Sequence, residues 1–403
     1  MKQCNPNAFC RKCISSAYRK LKGALYQSTR ACHDRPDDSA RSINSISLGL
    51  WLLCFCLIST PLQAHHTPLK IAFFTTRQAD DAYWGQVTAA MSAACRDLGI
   101  QLEVFYAGGN HITLIEQVES ALKSPRRFDA IVVPNFKKTA HRNIKAAEQY
   151  KVPLLLFNSE ISADRQLEMG LPREHFNYWI GTIVPDERQA GYRLAENLLK
   201  EAEKTLDHPA TTMVAIGGNL ADFSSINRLK GMEQAVKEHP QLQLLQTVHA
   251  NWNRKTAAQM YHRLHQRYPN NTVVWTASDL MALGVLDQAS TAQRTVITGG
   301  VDWTQQGLES IIQGELSFSL GGHYFNGAWA AVMLYDYFHG RDFKQESVRI
   351  LTPMLPLGIT QSETIKQLLH QRIWEKVNFR LYSKALNPDI THYNFSVPGL
   401  EPE

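Results

Sequence analysis

Asp81, Tyr83 and Trp84 stand together in the stretch RQADDAYW, directly after the apolar run LKIAFFT and just before a helical run that ends in RDLGIQLEVFYAGG. A carboxylate accepts hydrogen bonds from vicinal hydroxyls, and an aromatic face covers the apolar C–H side of a ring, so this trio suits a small polyhydroxylated guest. The same residues also fit a plainer pair of jobs, a helix cap at Asp81 and a core ring at Trp84. Comparable placements recur. Asn158 with Ser159 follows PLLLF, Asp279 follows TVVWTAS, and Asp302 with Trp303 follows TVITGG. Each is a polar or aromatic residue at the end of a buried run, where an open α/β sheet gathers ligand contacts. For Asp279 a carboxylate at a helix N-terminus is favourable in its own right. Arg228, in DFSSINRLKGMEQAV, offers a fork of donors for hydroxyls or a carboxylate, or else a surface salt bridge. Trp252, in HANWNRKTA, follows another apolar run and could face a guest from the side opposite Trp84.

No catalytic constellation accompanies these residues. GxSxG, HExxH and GKS or GKT are absent, and the glycine pairs at 108–109, 217–218 and 299–300 do not make GxGxxG. Histidines are scattered, with His65 and His66 the adjacent pair. A nucleophile beside a base is not visible, so the chain is expected to be no enzyme, with neither cofactor nor metal.

The elements that must position these side chains are short apolar strands alternating with helices from Leu69 onward. Ten runs read as strands: LKIAFFT, QLEVFYA, DAIVVP, PLLLF, YWIG, TMVAIGG, LQLLQTV, TVVWTAS, TVITGG and LSFSL. Near-continuous Val, Ile, Leu and Phe strands between helices imply parallel sheets covered on both faces, hence an α/β fold. The pattern restarts near Thr211, which argues for two lobes of five or six strands each rather than one wide sheet. LEMGLPREHFNYWIGTIVPDE, LSFSLGGHYFN and VRILTPMLP are the candidate crossings between them, a three-segment hinge around a cleft.

Residues 1–47 carry nine Lys or Arg against three Asp and no Glu, and the apolar run Leu48 to Leu62 ends at small Ala64. That is the layout of a secretory leader over residues 1–64, with a long basic n-region, and it implies export and cleavage near Ala64. A membrane anchor is the rival, disfavoured by Pro61 and Gln63. Taking the nine and three from the chain's 42 basic and 37 acidic side chains leaves 33 and 34, so the rest is near neutral and a nucleic-acid surface is not supported. Six of seven cysteines fall in the leader, leaving Cys95 with no partner for an internal disulfide.

With these residues in place, the chain resembles the periplasmic sugar-binding proteins of ABC importers, the type I ribose-binding and LacI-like group, from about Leu69 to Ile359. The markers are LKIAFFT with DDAYW, PLLLF followed by Asn158, YWIGTIVPDERQAGYRLAENL, NRLKGMEQAV, WTASDLMALGVLDQA and TGGVDW. The resemblance implies two Rossmann-like lobes with parallel sheets, 69–181 plus 323–348 and 185–320 plus 352–403. It implies a cleft lined by Asp81, Tyr83, Trp84, Asn158, Arg228, Trp252, Asp279 and Asp302, with Asp186 near the first crossing. The ligand would be a sugar or polyol, the protein a periplasmic monomer, and the partner the membrane permease of an importer or, alternatively, a membrane sensor protein. Ribose-type relatives carry Asp-Arg where this chain has Asn158 and Ser159, and a polar side chain where it has Gly321 or Gly322. Asn158, Tyr83 with Trp84, and Arg228 are closer to the autoinducer-2 receptor of the same fold.

Overall fold

The computed structural model describes residues 68–124, 128–206, 211–370, 373–398 and 400, so the expected leader over 1–64 lies outside the described residues. In chain order the elements are β1 (Lys70–Thr75), α1 (Trp84–Leu98), β2 (Gln101–Tyr106), α2 (His111–Lys123), β3 (Ala130–Pro134), α3 (Ala140–Tyr150), β4 (Leu154–Phe157), α4 (Ala163–Met169) and β5 (Trp179–Pro185). The same alternation then restarts with α5 (Glu187–Thr205), β6 (Thr212–Gly217), α6 (Phe223–Glu238), β7 (Gln243–His249), α7 (Arg254–Arg267), β8 (Val273–Thr276), α8 (Asp279–Thr291), β9 (Ile297–Val301), α9 (Gln305–Ile312) and β10 (Phe318–Gly321). It closes with α10 (Asn326–Phe338), β11 (Arg349–Thr352), β12 (Leu355–Gly358) and α11 (Ser362–His370).

Two six-stranded sheets result, ordered β11-β5-β4-β3-β1-β2 and β12-β10-β9-β8-β6-β7. The orders repeat, so each lobe is one doubly wound unit and the chain is α/β with two Rossmann-like lobes. Central strands β3, β4, β5, β8 and β9 are buried along their whole length, as helices on both faces require. Pairing is parallel throughout except for β10 with β12. The strand list holds for all ten expected runs. It missed β11 and β12, because each is a four-residue edge strand whose partner lies far away in the chain.

The chain passes between lobes from β5 to α5, from β10 to α10 and from β11 to β12, which makes the expected three-segment hinge. The first and third crossings are tied directly, since the Asp186 N–H donates to the Thr352 carbonyl at 2.9 Å. At the second, Trp303 lies over Gly321 and Gly322, and a Cβ at Gly321 would overlap its ring. The glycines that depart from the ribose-type pattern are thus the floor on which a buried tryptophan rests.

One boundary differs from expectation. Residues 352–403 do not all stay with the second lobe: β12 joins the second sheet and α11 packs on α9, but residues 373–398 return to the first lobe. The reason is α10, which is apolar on nearly every face and therefore needs cover on the side away from the sheet. Trp329 of α10 stacks on Phe395 at 5.1 Å and 13° and meets the edge of Phe379. On the same helix the buried Asp336 carboxylate accepts from Ser383 Oγ, the Lys384 and Ala385 N–H groups and the Tyr393 hydroxyl. Those contacts dock the tail.

Candidate functional site

A cavity of about 180 Å³ lies between the lobes, at the carboxyl ends of the strands of both sheets. Asp81, Tyr83, Trp84 and Asn158 line it from the first lobe, and Arg228, Trp252 and Asp302 from the second. Seven of the nine residues singled out in the sequence therefore meet around one space.

The first wall is held by local hydrogen bonding. Asp81 Oδ1 accepts from the N–H groups of Tyr83 (3.1 Å) and Trp84 (2.9 Å), so it caps α1, as the plainer alternative anticipated, while the residue still lines the cavity. Tyr83 donates its hydroxyl to Asn158 Oδ1 at 2.6 Å, tying the α1 loop to the end of β4. Burial and the neighbouring carboxylates Asp302 and Glu187 push the Tyr83 phenol well above its usual pKa, so it stays a donor. Trp84 is only 8 % exposed and packs against Phe73 and Phe157, so its ring is mainly core with an edge at the cavity.

The second wall is built on charge. Arg228, 3 % exposed in the first turns of α6, donates through Nε to Glu187 (2.5 Å) and through Nη1 to the Ala277 carbonyl (2.7 Å) and Asp302 (3.4 Å). Burial works against the guanidinium charge, but Glu187 and Asp302 outweigh it and hold its pKa above the usual value. Gly191 of α5 and Gly231 of α6 make this possible, because a Cβ at either would run into the backbone of the opposite helix. Trp252 lies over Gly218, donates Nε1 to Asp222 Oδ2 at 2.7 Å, and presents its ring 5.8 Å from Arg228 Cζ. Asn158, Trp252 and Asp302 all have positive φ (61°, 61° and 122°), a conformation non-glycine residues adopt at a cost and one that concentrates at sites of function.

Two expected residues stand elsewhere. Asp186 does not line the cavity; its carboxylate caps α5 by accepting from the Gln189 N–H at 3.0 Å. The acid that matters on that helix is its neighbour Glu187, rotated about 100° further round and so turned into the interior toward Arg228. Asp279 is fully buried beneath the cavity, accepting from the Thr304 N–H and hydroxyl and from Ser319 Oγ. Burial and the nearby Asp302 charge raise its carboxyl to about 8, offset in part by those hydrogen bonds. Its place is in the framework that joins β9, β10 and α9.

Sequence reasoning missed Glu187, Asp222, Asn135 and His323. Asn135 follows β3 directly and so carried the same strand-end signal as Asn158; Asp222 directly precedes α6 as a helix start. Glu187 and His323 each stand two residues past a strand, β5 and β10, so the same signal reached them without separating Glu187 from Asp186 or His323 from the glycine pair before it. Among the described residues no group of His, Cys, Asp or Glu could hold a metal ion, Cys95 is a buried free thiol, and no helix is long and apolar enough to cross a membrane. Besides Arg228, the cavity's formal charges come from Arg77, Asp81, Asp222 and Asp302. An arginine already matched by two carboxylates leaves little unbalanced positive charge for an anion.

A family profile described as a periplasmic binding protein domain matches residues 71–342. The xylitol-binding protein of Mycolicibacterium smegmatis is 26% identical over 225 residues, 52% of this chain and 59% of that protein. The D-allose-binding periplasmic protein of Escherichia coli is 28% identical over 104 residues, 25% of this chain and 33% of that one. The aligned stretches thus span less than two thirds of either relative. Among solved structures, a periplasmic sugar-binding protein from Pseudomonas fluorescens superposes with a TM-score of 0.73 at 27% identity, covering 81% of this chain and 98% of its own.

Proposed function

The chain belongs to the periplasmic binding protein family, and from that premise we propose that it is an exported receptor whose two lobes close over one small neutral sugar or polyol. Its cargo would then be handed to the permease of an ABC importer in the membrane. The observation that carries this reading is the shared cavity: Asp81, Tyr83 and Asn158 of one lobe and Arg228, Trp252 and Asp302 of the other face one space of about 180 Å³. Carboxylates and amides that accept and donate along several directions, bordered by tyrosine and tryptophan, match a ring of hydroxyls with apolar C–H faces. A ligand touching both lobes favours the closed arrangement in proportion to its extra contacts there, and that shift is what a membrane partner can recognise. The names of the xylitol- and D-allose-binding relatives support a ligand of this class. The test is titration calorimetry of the protein with xylitol, D-allose, other neutral monosaccharides and their carboxylated counterparts. Binding of at least one neutral sugar or polyol, with the sugar acids much weaker, is expected; saturable binding of the acids alone would overturn the reading.

A further inference from the structure

The surroundings of His323 are unusual for a core histidine. It follows Gly321 and Gly322 at the second crossing, where Gly322 has φ 92° and the crossing runs beneath Trp303, and it is 2 % exposed while lining the cavity. Its ring lies against Tyr83 of the first lobe, centroids 4.7 Å apart and 26° between planes. Nε2 stands 3.5 Å from Oδ1 of Asp302 in the second lobe, the same oxygen that Arg228 reaches at 3.4 Å. Nδ1 is buried and has no partner among the described residues. A buried imidazole with one nitrogen unserved loses stability relative to an apolar ring of the same shape, so packing alone does not account for a histidine here.

We propose that His323 is a positioning residue of the cleft, aiming the Asp302 carboxylate of one lobe through Nε2–H while its ring face fixes Tyr83 of the other. The unpartnered Nδ1 defines the tautomer: the proton belongs on Nε2, where an acceptor exists, and Nδ1 keeps its lone pair. Asp302 Oδ1 then has two donor groups around it, Arg228 in a 3.4 Å hydrogen bond and His323 Nε2 in a looser contact at 3.5 Å. That spacing leaves its carboxylate oriented but not saturated, ready to accept from a hydroxyl of the guest. A residue on the hinge that touches one wall with its face and the other with its edge also keeps both walls in register when the lobes come together.

The affinity part of the test rests on the sugar-receptor reading above; the spectroscopic part does not. In the ligand-free full chain, ¹⁵N spectra of the histidine rings, with His323 assigned by comparison with His323→Gln, should show the Nε2–H tautomer for His323 and a change in its ring shifts in Asp302→Asn. A ring protonated on Nδ1, or one indifferent to Asp302→Asn, would overturn the proposal whether or not a sugar binds. With the neutral sugar or polyol that titrates best against the wild type, His323→Phe, which keeps the flat ring but no donor, should lose roughly tenfold or more in affinity. His323→Gln, whose amide can still donate, should stay within about threefold, and the melting temperature of His323→Phe should not fall. A His323→Phe variant that melts early but binds with wild-type affinity would make the histidine merely structural. A wild type that binds no neutral sugar or polyol would sink the receptor reading alone, with the tautomer still deciding the role of His323.

Discussion

The two lobes share one strand order but build their walls of the cleft from different physics. The first lobe holds Asp81, Tyr83 and Asn158 with short-range hydrogen bonds: a carboxylate caps a helix and a phenol reaches one amide. The second buries a guanidinium between Glu187 and Asp302 and threads two helices past each other at Gly191 and Gly231 to do so. A first wall of that kind tolerates a lost group. The second does not, because removing one charge leaves its partners buried and unpaired.

That contrast orders the expected effects. Arg228→Met should be the most damaging, costing about 3–5 kcal/mol of stability by leaving Glu187 and Asp302 uncompensated, read as a fall in the urea midpoint. A loss below about 1 kcal/mol would mean the second wall is no more charge-dependent than the first. Asp279 comes next. Its carboxyl titrates near 8 in the folded protein against 3.8 ordinarily, so between those values the folded state holds a proton that the unfolded chain releases. The group's stabilising contribution is therefore complete below about pH 4 and is lost as pH rises toward 8. Denaturation at a series of pH values should show wild type losing roughly a few kcal/mol over that interval relative to Asp279→Asn, and parallel curves would refute the assignment. In the first lobe, Asp81→Ala should cost about 1 kcal/mol, the worth of a helix cap, and Asp81→Asn less because the amide oxygen still caps. Tyr83→Phe closes the series at a similar level, roughly 0.5–1.5 kcal/mol for one hydrogen bond to Asn158, measurable by thermal melting.

Legibility in the sequence followed the range of the interactions. Strand-end residues such as Asn158, Trp252 and Asp302 could be found because buried apolar runs announce where strands stop, and parallel topology sends those ends to one edge. Asp186 and Asp279 fit the same rule and fail it for a local reason: each carboxylate is spent on framework hydrogen bonds, one capping α5 and the other tying Thr304 and Ser319. Glu187 was hidden because only its packing on Arg228, on a different helix, distinguishes it from the acid beside it. His323 was hidden because its meaning depends on Tyr83 and Asp302, which the fold brings from opposite lobes. The tail was expected with the second lobe because nothing local marks its destination, which is set by the apolar outer face of α10 and by the buried Asp336 carboxylate.

The central claim is that both lobes hold one guest. It is tested most directly by a crystal structure of the protein grown with the neutral sugar or polyol of highest measured affinity. The account predicts a single ligand in the cavity, hydrogen-bonded to Asp81 or Asn158 on one side and to Arg228 or Asp302 on the other. A ligand seated on one lobe alone, or bound away from this cavity, would contradict it.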